Sequence, residues 1–161
     1  MTIIERFLKS RKFGVPIMGI ETEDQAAVIT ALVKSQDAEP ISKRGKVIIW
    51  DLIRGPLPAN EGGKVELQRV ASDEDARAQM MSPTGLLMKA LEFKAETIIC
   101  MKNVHRFFDD TAVMQAICNL RDLFKEDHRM LVLLGPTLKQ PIALTGDVGV
   151  IDGPLPNESS G

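Results

Sequence analysis

Five short runs of branched apolar residues, each closed by polar or turn-forming residues, constrain this 161-residue chain more than any other feature. They are Val15 to Ile20, Lys46 to Leu52, Glu96 to Met101, Met130 to Leu134 and Val148 to Ile151. A strand with one wet face alternates polar and apolar residues. These runs are nearly continuous in apolar character, so both of their faces must be covered. The intervening stretches have helical spacing. Thr22 and Gln25 sit as a capping box before Ala26, Val28, Ile29, Leu32 and Val33. Ser82-Pro83 opens a second helix with Leu86, Leu87, Ala90 and Leu91 on its apolar side. Asp109 or Asp110 caps a third and longer one, in which Val113, Ile117, Leu120 and Phe124 recur. Strands that alternate with helices and are buried on both faces define a three-layer α/β/α domain around a five-stranded, mostly parallel sheet.

The remaining segments are less regular. Residues 1–14 predict a basic amphipathic helix, with Ile3, Ile4, Phe7 and Leu8 on one side and Arg6, Lys9, Arg11 and Lys12 elsewhere. Gly55 to Asp75, with Pro56, Pro58, Gly62 and Gly63, predicts a surface excursion containing a short hairpin around Val65 to Val70. The α/β domain is expected over residues 15–156, with Asn157 to Gly161 as a tail.

Charge narrows the function classes. Twenty Lys and Arg against 22 Asp and Glu leave a net charge of -2, with no global pull toward nucleic acid or an anionic membrane. Nucleic-acid binding is therefore not expected, except as a local property of the basic N-terminal helix. No apolar run approaches the roughly 20 residues that span a bilayer, and no membrane association is expected. Cys100 and Cys118 lie in apolar runs rather than at ligand or disulfide-framework spacing, which predicts buried thiols in a reducing, cytoplasmic setting.

Ligands of open parallel sheets bind beyond the carboxyl ends of the strands. The first such position is Glu21-Thr22-Glu23-Asp24. A phosphate loop there needs glycines, so that backbone amides can wrap the phosphates, and a lysine to meet their charge. This turn has neither and carries three carboxylates. His105 and His128 lie outside any zinc-type spacing, and no serine stands in a nucleophile-elbow pattern, so no cofactor, metal or catalytic residue is expected.

Two later segments carry a family resemblance. Ile98-Ile99-Cys100-Met101-Lys102-Asn103-Val104-His105 and Val132-Leu133-Leu134-Gly135-Pro136-Thr137, with the helix between them, resemble the acidic-pair strand and the sensor strand of the AAA+ ATPase core. Ile151-Asp152-Gly153-Pro154-Leu155-Pro156 is similar to its closing strand and exit. The match is to the degenerate N-terminal domain of a bacterial and chloroplast AAA ATPase group whose intact ATPase domain lies downstream. The resemblance implies a P-loop-like topology without its Walker A and Walker B residues, Lys102 and Asn103 standing where the metal-binding Asp and catalytic Glu would be.

The resulting expectation is a non-catalytic AAA-like module that acts in oligomerisation, partner binding or regulation, its partner being a protein, a second copy or an AAA ATPase ring. Trp50, Arg54, Phe107 and Phe108 are the candidate contact residues, because aromatic and Arg side chains dominate interface hot spots. Arg121 on the long helix is a candidate arginine finger toward a neighbour's nucleotide. The alternatives are a magnesium-dependent phosphoryl hydrolase using the strand-end carboxylates Glu21 and Asp51, and a nucleic-acid-binding accessory protein.

Overall fold

A computed structural model describes residues 2–138 and 148–151. The expected tail and the exit segment after Ile151 lie outside the described residues. In chain order the elements are α1 (Ile3–Lys12), β1 (Ile17–Glu21), α2 (Gln25–Asp37), β2 (Lys46–Asp51), β3 (Gly55–Pro58), α3 (Glu61–Val70), α4 (Glu74–Gln79), α5 (Pro83–Lys89), β4 (Thr97–Met101), α6 (Thr111–Phe124), β5 (Met130–Gly135) and β6 (Val148–Ile151).

The sheet has the order β3-β2-β4-β5-β1-β6. The five expected strands are all present and mutually parallel: β1 lies between β5 and β6, and β4 between β2 and β5. β3 adds a short antiparallel edge against β2. Pleating sends alternate residues to opposite faces. Ile48, Trp50, Ile99, Met101, Leu131 and Leu133 pack with α5 and α6 on one side. Met18, Ile20, Val47, Ile98, Cys100 and Val132 pack with α1 and α2 on the other. This two-sided burial is why the strand sequences lack polar alternation. Ile3 and Phe7 of α1 are buried among the second set, so the N-terminal helix contributes to the same core. Thr2 and Glu5 cap its start reciprocally.

Two local expectations are corrected. The α2 helix is capped by Asp24, whose carboxylate accepts the Ala27 N–H at 3.0 Å, while Thr22 Oγ1 accepts the Asp24 N–H. Gln25 is therefore not a capping partner. The second correction concerns residues 55–75, which form β3, α3 and α4 rather than an excursion, and α3 replaces the hairpin at Val65 to Val70. Asn60 sets α3: its Oδ1 accepts from both Gly63 and Val47 N–H, and its amide donates to the Gly45 carbonyl. Gly63 then lies so close to the Val47 carbonyl that a Cβ would collide with it. That residue is thus a packing glycine, not a turn glycine. Pro56 and Pro58 stand opposite Trp50 and Ile48 on the outermost described strand, where a missing N–H costs the sheet nothing.

Candidate functional site

Four strand ends meet along the carboxyl edge of the sheet. β2 turns into β3 through Leu52, Ile53 and Arg54, with Asp51 paired to Gly55. Asp51 Oδ1 accepts the N–H groups of Ile53 and Arg54 at 2.9 and 2.7 Å, and Gly55, at φ +69, takes the left-handed conformation that closes the turn. Because the backbone polar groups are satisfied by Asp51, the turn tolerates two large apolar residues at its tip. Leu52 is 51% and Ile53 83% exposed. Burial alone would raise the Asp51 carboxyl, but the Arg54 and Ile53 amides and the Arg54 guanidinium outweigh it and hold the group below its usual range. Arg54 Nε lies 2.8 Å from Asp51 Oδ2.

β4 continues the edge. Lys102 N–H donates to the Trp50 carbonyl, and Asn103 adopts the left-handed region at φ 55 before a 3₁₀ turn over Val104–Phe107. Asp51 to Arg54 and the Lys102, Asn103, Arg106 and Phe107 side line a cleft of about 450 Å³. Its charge is unbalanced. Arg54, Lys102 and Arg106 face one carboxylate, which Arg54 already engages, and neither Lys102 nor Arg106 makes an ion pair with a described residue.

The sequence-predicted contact residues divide. Arg54 and Phe107 line the cleft, and Phe108, half-buried, packs beside Phe107 against the core. Trp50 is wholly shielded: its indole N–H donates to the Met80 carbonyl at 2.7 Å, and its ring meets Phe107 edge-on at 5.9 Å. A side chain without accessible surface cannot touch a partner, so Trp50 serves as the floor under Phe107. Arg121 lies ten residues into α6, about 15 Å along it, and is ion-paired with Asp122 at 3.5 Å, remote from the cleft. Leu52, Ile53 and Arg106 are the residues that sequence reasoning missed. The available signal was two large apolar residues inside an Asp-to-Gly turn.

The β1 end is closed differently. Glu21 accepts the Leu138 N–H at 2.9 Å, and Asp24 occupies the α2 N-terminus. Gln25 spans the gap to β4: its amide donates to Asn103 Oδ1 at 2.8 Å and its carbonyl accepts the Asn103 N–H at 2.9 Å. Glu21 and Asp51 end strands separated by β5 and β4, about 14 Å apart, which is too far to share one ion. Among the described residues no group of three His, Cys, Asp or Glu is placed to hold a metal. His105 Nδ1 is buried beside Gly135 without a hydrogen-bond partner among the described residues. Cys100 is a core residue whose thiol is pushed up to about 12 by burial.

A mostly parallel sheet in this order, layered by helices on both faces, defines a three-layer α/β domain, and the family match makes it AAA-like. Residues 2–153 match the family described as the N-terminal domain of SpoVK-like AAA ATPases, and the chain belongs to that family. Similar solved structures include a chain from "Structure of Drosophila ORC bound to DNA", at 9% identity and a TM-score of 0.51, covering 98% of this chain and 93% of that one. Another, from "Structure of Drosophila ORC bound to AT-rich DNA and Cdc6", has 10% identity and a TM-score of 0.50, covering 92% of this chain and 52% of that one. At such identities the likeness is one of fold. No curated protein sequence matches the chain. Among the described residues no helix is long and apolar enough to cross a membrane.

Proposed function

We propose that this chain is an AAA-like module that binds a protein partner, or a second copy of itself, without hydrolysing ATP. The observation that carries this reading is the Gln25–Asn103 clasp. It ties the loop where phosphates would be wrapped to the strand end where an acidic pair would hold metal. The first loop offers carboxylates in place of glycines and lysine, and Asp24 fills the helix N-terminus that would otherwise attract an anion. The second offers Lys102 and Asn103 in place of Asp and Glu. A nucleoside triphosphate brought there would meet like charge, and a metal ion would find no carboxylate pair.

The work of the module then falls to the cleft between the β2–β3 turn and the β4 end. Exposed apolar side chains beside unpaired cations favour a partner that supplies both burial and charge. Two free cysteines fit a reducing, cytoplasmic setting.

Titration calorimetry with ATP and ADP, with and without Mg²⁺, tests the reading, alongside sedimentation across a range of protein concentrations. No saturable heat is expected. Magnesium-dependent binding, or turnover lost in Asp51→Asn, would overturn it and return the protein to the nucleotide enzymes.

A further inference from the structure

We infer that the cleft at the β2–β3 turn takes an acidic segment of a partner protein that carries apolar side chains among its carboxylates. This rests on the partner-binding reading and specifies its chemistry. Charge complementarity supplies the argument. Three cations line the cleft and its single carboxylate is consumed by Arg54, leaving the positive groups of Lys102 and Arg106 without an ion-pair partner among the described residues. The chain as a whole is slightly acidic, so this corner opposes the net charge of -2 rather than following it. Such a local inversion attracts an acidic ligand to this part of the surface.

The apolar half of the site is equally specific. Ile53 at 83% and Leu52 at 51% exposure project from a turn whose backbone is fixed by Asp51 and Gly55, so they are displayed in a set geometry. Phe107 sits opposite, braced from below by Trp50. A bound segment therefore loses little affinity to ordering of the receptor, since the turn and the aromatic pair are already in place. A nucleic-acid strand would use the cations and the half-buried Phe107 but would gain little from Leu52 and Ile53, the most exposed apolar groups of the site. An acidic segment with leucine-like side chains uses both halves.

The experiment follows fluorescence anisotropy of a short labelled peptide of alternating glutamate and leucine, added to the whole chain. A labelled lysine–leucine peptide and a labelled single-stranded DNA oligonucleotide of the same net charge as the acidic peptide are titrated separately for comparison. Saturable binding of the acidic peptide that weakens with salt is expected, with Arg106→Glu and Lys102→Glu each lowering affinity by about tenfold. Ile53→Ser should lower it several-fold while leaving the salt dependence intact. Both charge reversals lie at the surface, and unchanged Trp50 emission verifies that each variant is folded.

Equal binding of the lysine–leucine peptide, or affinity indifferent to all three variants, overturns the proposal. Tighter binding of the oligonucleotide, lost in the same variants, replaces it with a nucleic-acid site. A concentration-dependent mass abolished by Ile53→Ser assigns the cleft to a second copy instead. Failure of peptide binding with silent ATP calorimetry removes only this inference, whereas heat with ATP removes the reading beneath it.

Discussion

The two ends of the sheet use their charged residues in opposite ways. At the amino edge, Arg129, Arg11 and Arg69 are committed to the fold. Arg129 donates to Asp127 at 2.7 Å and to the carbonyls of Leu91, Phe93 and Leu123, with its guanidinium 4.7 Å from the centre of the Phe124 ring. Arg11 reaches Glu96 at 2.6 Å together with the carbonyls of Lys43 and His128, so it pins α1 to the strand entrances. Glu66, almost fully buried, accepts a two-pronged contact from Arg69 and the Lys94 N–H. At the carboxyl edge, Lys102 and Arg106 make no side-chain hydrogen bond or ion pair among the described residues, and two aliphatic side chains face solvent. On the proposed reading, the arginines that hold the fold are ringed with partners and the two cations left for a ligand are not.

That contrast can be broken or sharpened by mutation. Arg129→Ala should be the most damaging change, costing about 2–4 kcal/mol, because it strands three carbonyls and a carboxylate at a largely covered site. Urea unfolding checks it, and a loss below about 0.5 kcal/mol would dissolve the comparison. Glu66→Gln should follow at about 1–3 kcal/mol, since the amide cannot match the paired guanidinium.

The acid response of Glu66 carries a sign. Burial would raise its carboxyl, but the Arg69 contact and the Lys94 amide hold it below the ordinary value of 4.5. Its contribution is then complete above about pH 4.5 and is lost as pH falls toward the folded value. Wild-type stability should decline through that window more steeply than that of Glu66→Gln, and parallel curves would contradict the assignment. Gln25→Ala removes the clasp at a half-buried position and should cost about 0.5–1.5 kcal/mol. Arg106→Ala and Lys102→Ala complete the series, with stability changes within about 0.5 kcal/mol, since neither side chain has an ion-pair partner among the described residues. A large loss from either would mean that the carboxyl edge also spends its charge on folding.

Much of this architecture was legible in the sequence because the strands are buried on both faces and therefore written as unbroken apolar runs. The α6 helix was legible for a related reason: Val113, Ile117, Leu120 and Phe124 all meet the core and keep helical spacing. What failed depended on contacts distant in sequence. Gln25 looked like a capping residue until Asn103, 78 positions away, engaged it. Gly63 looked like a loop glycine because the Val47 carbonyl it must clear lies in another element. Pro56 and Pro58 suggested turns, since the sequence does not announce that a strand will stand at an edge. Arg54 and Phe107, chosen from residue type alone, line the candidate cleft, but the same rule also made a contact candidate of Trp50, which the fold buries. Residue type reports what a side chain can do in a contact, not which side of the fold it occupies.

The prolines of β3 have a consequence for how copies of this domain could join. Ala59 N–H donates to the Val47 carbonyl, so Ile49–Leu57 and Asp51–Gly55 are the hydrogen-bonded pairs, and the directions in which Pro56 and Pro58 lack a donor point outward. A ribbon growing by the addition of strands is refused on that flank, leaving β6 as the receptive margin among the described residues. Two molecules zipped together along that margin would each present a proline-bearing flank to the outside. Growth would terminate at a pair, and fibrils would be denied their third member.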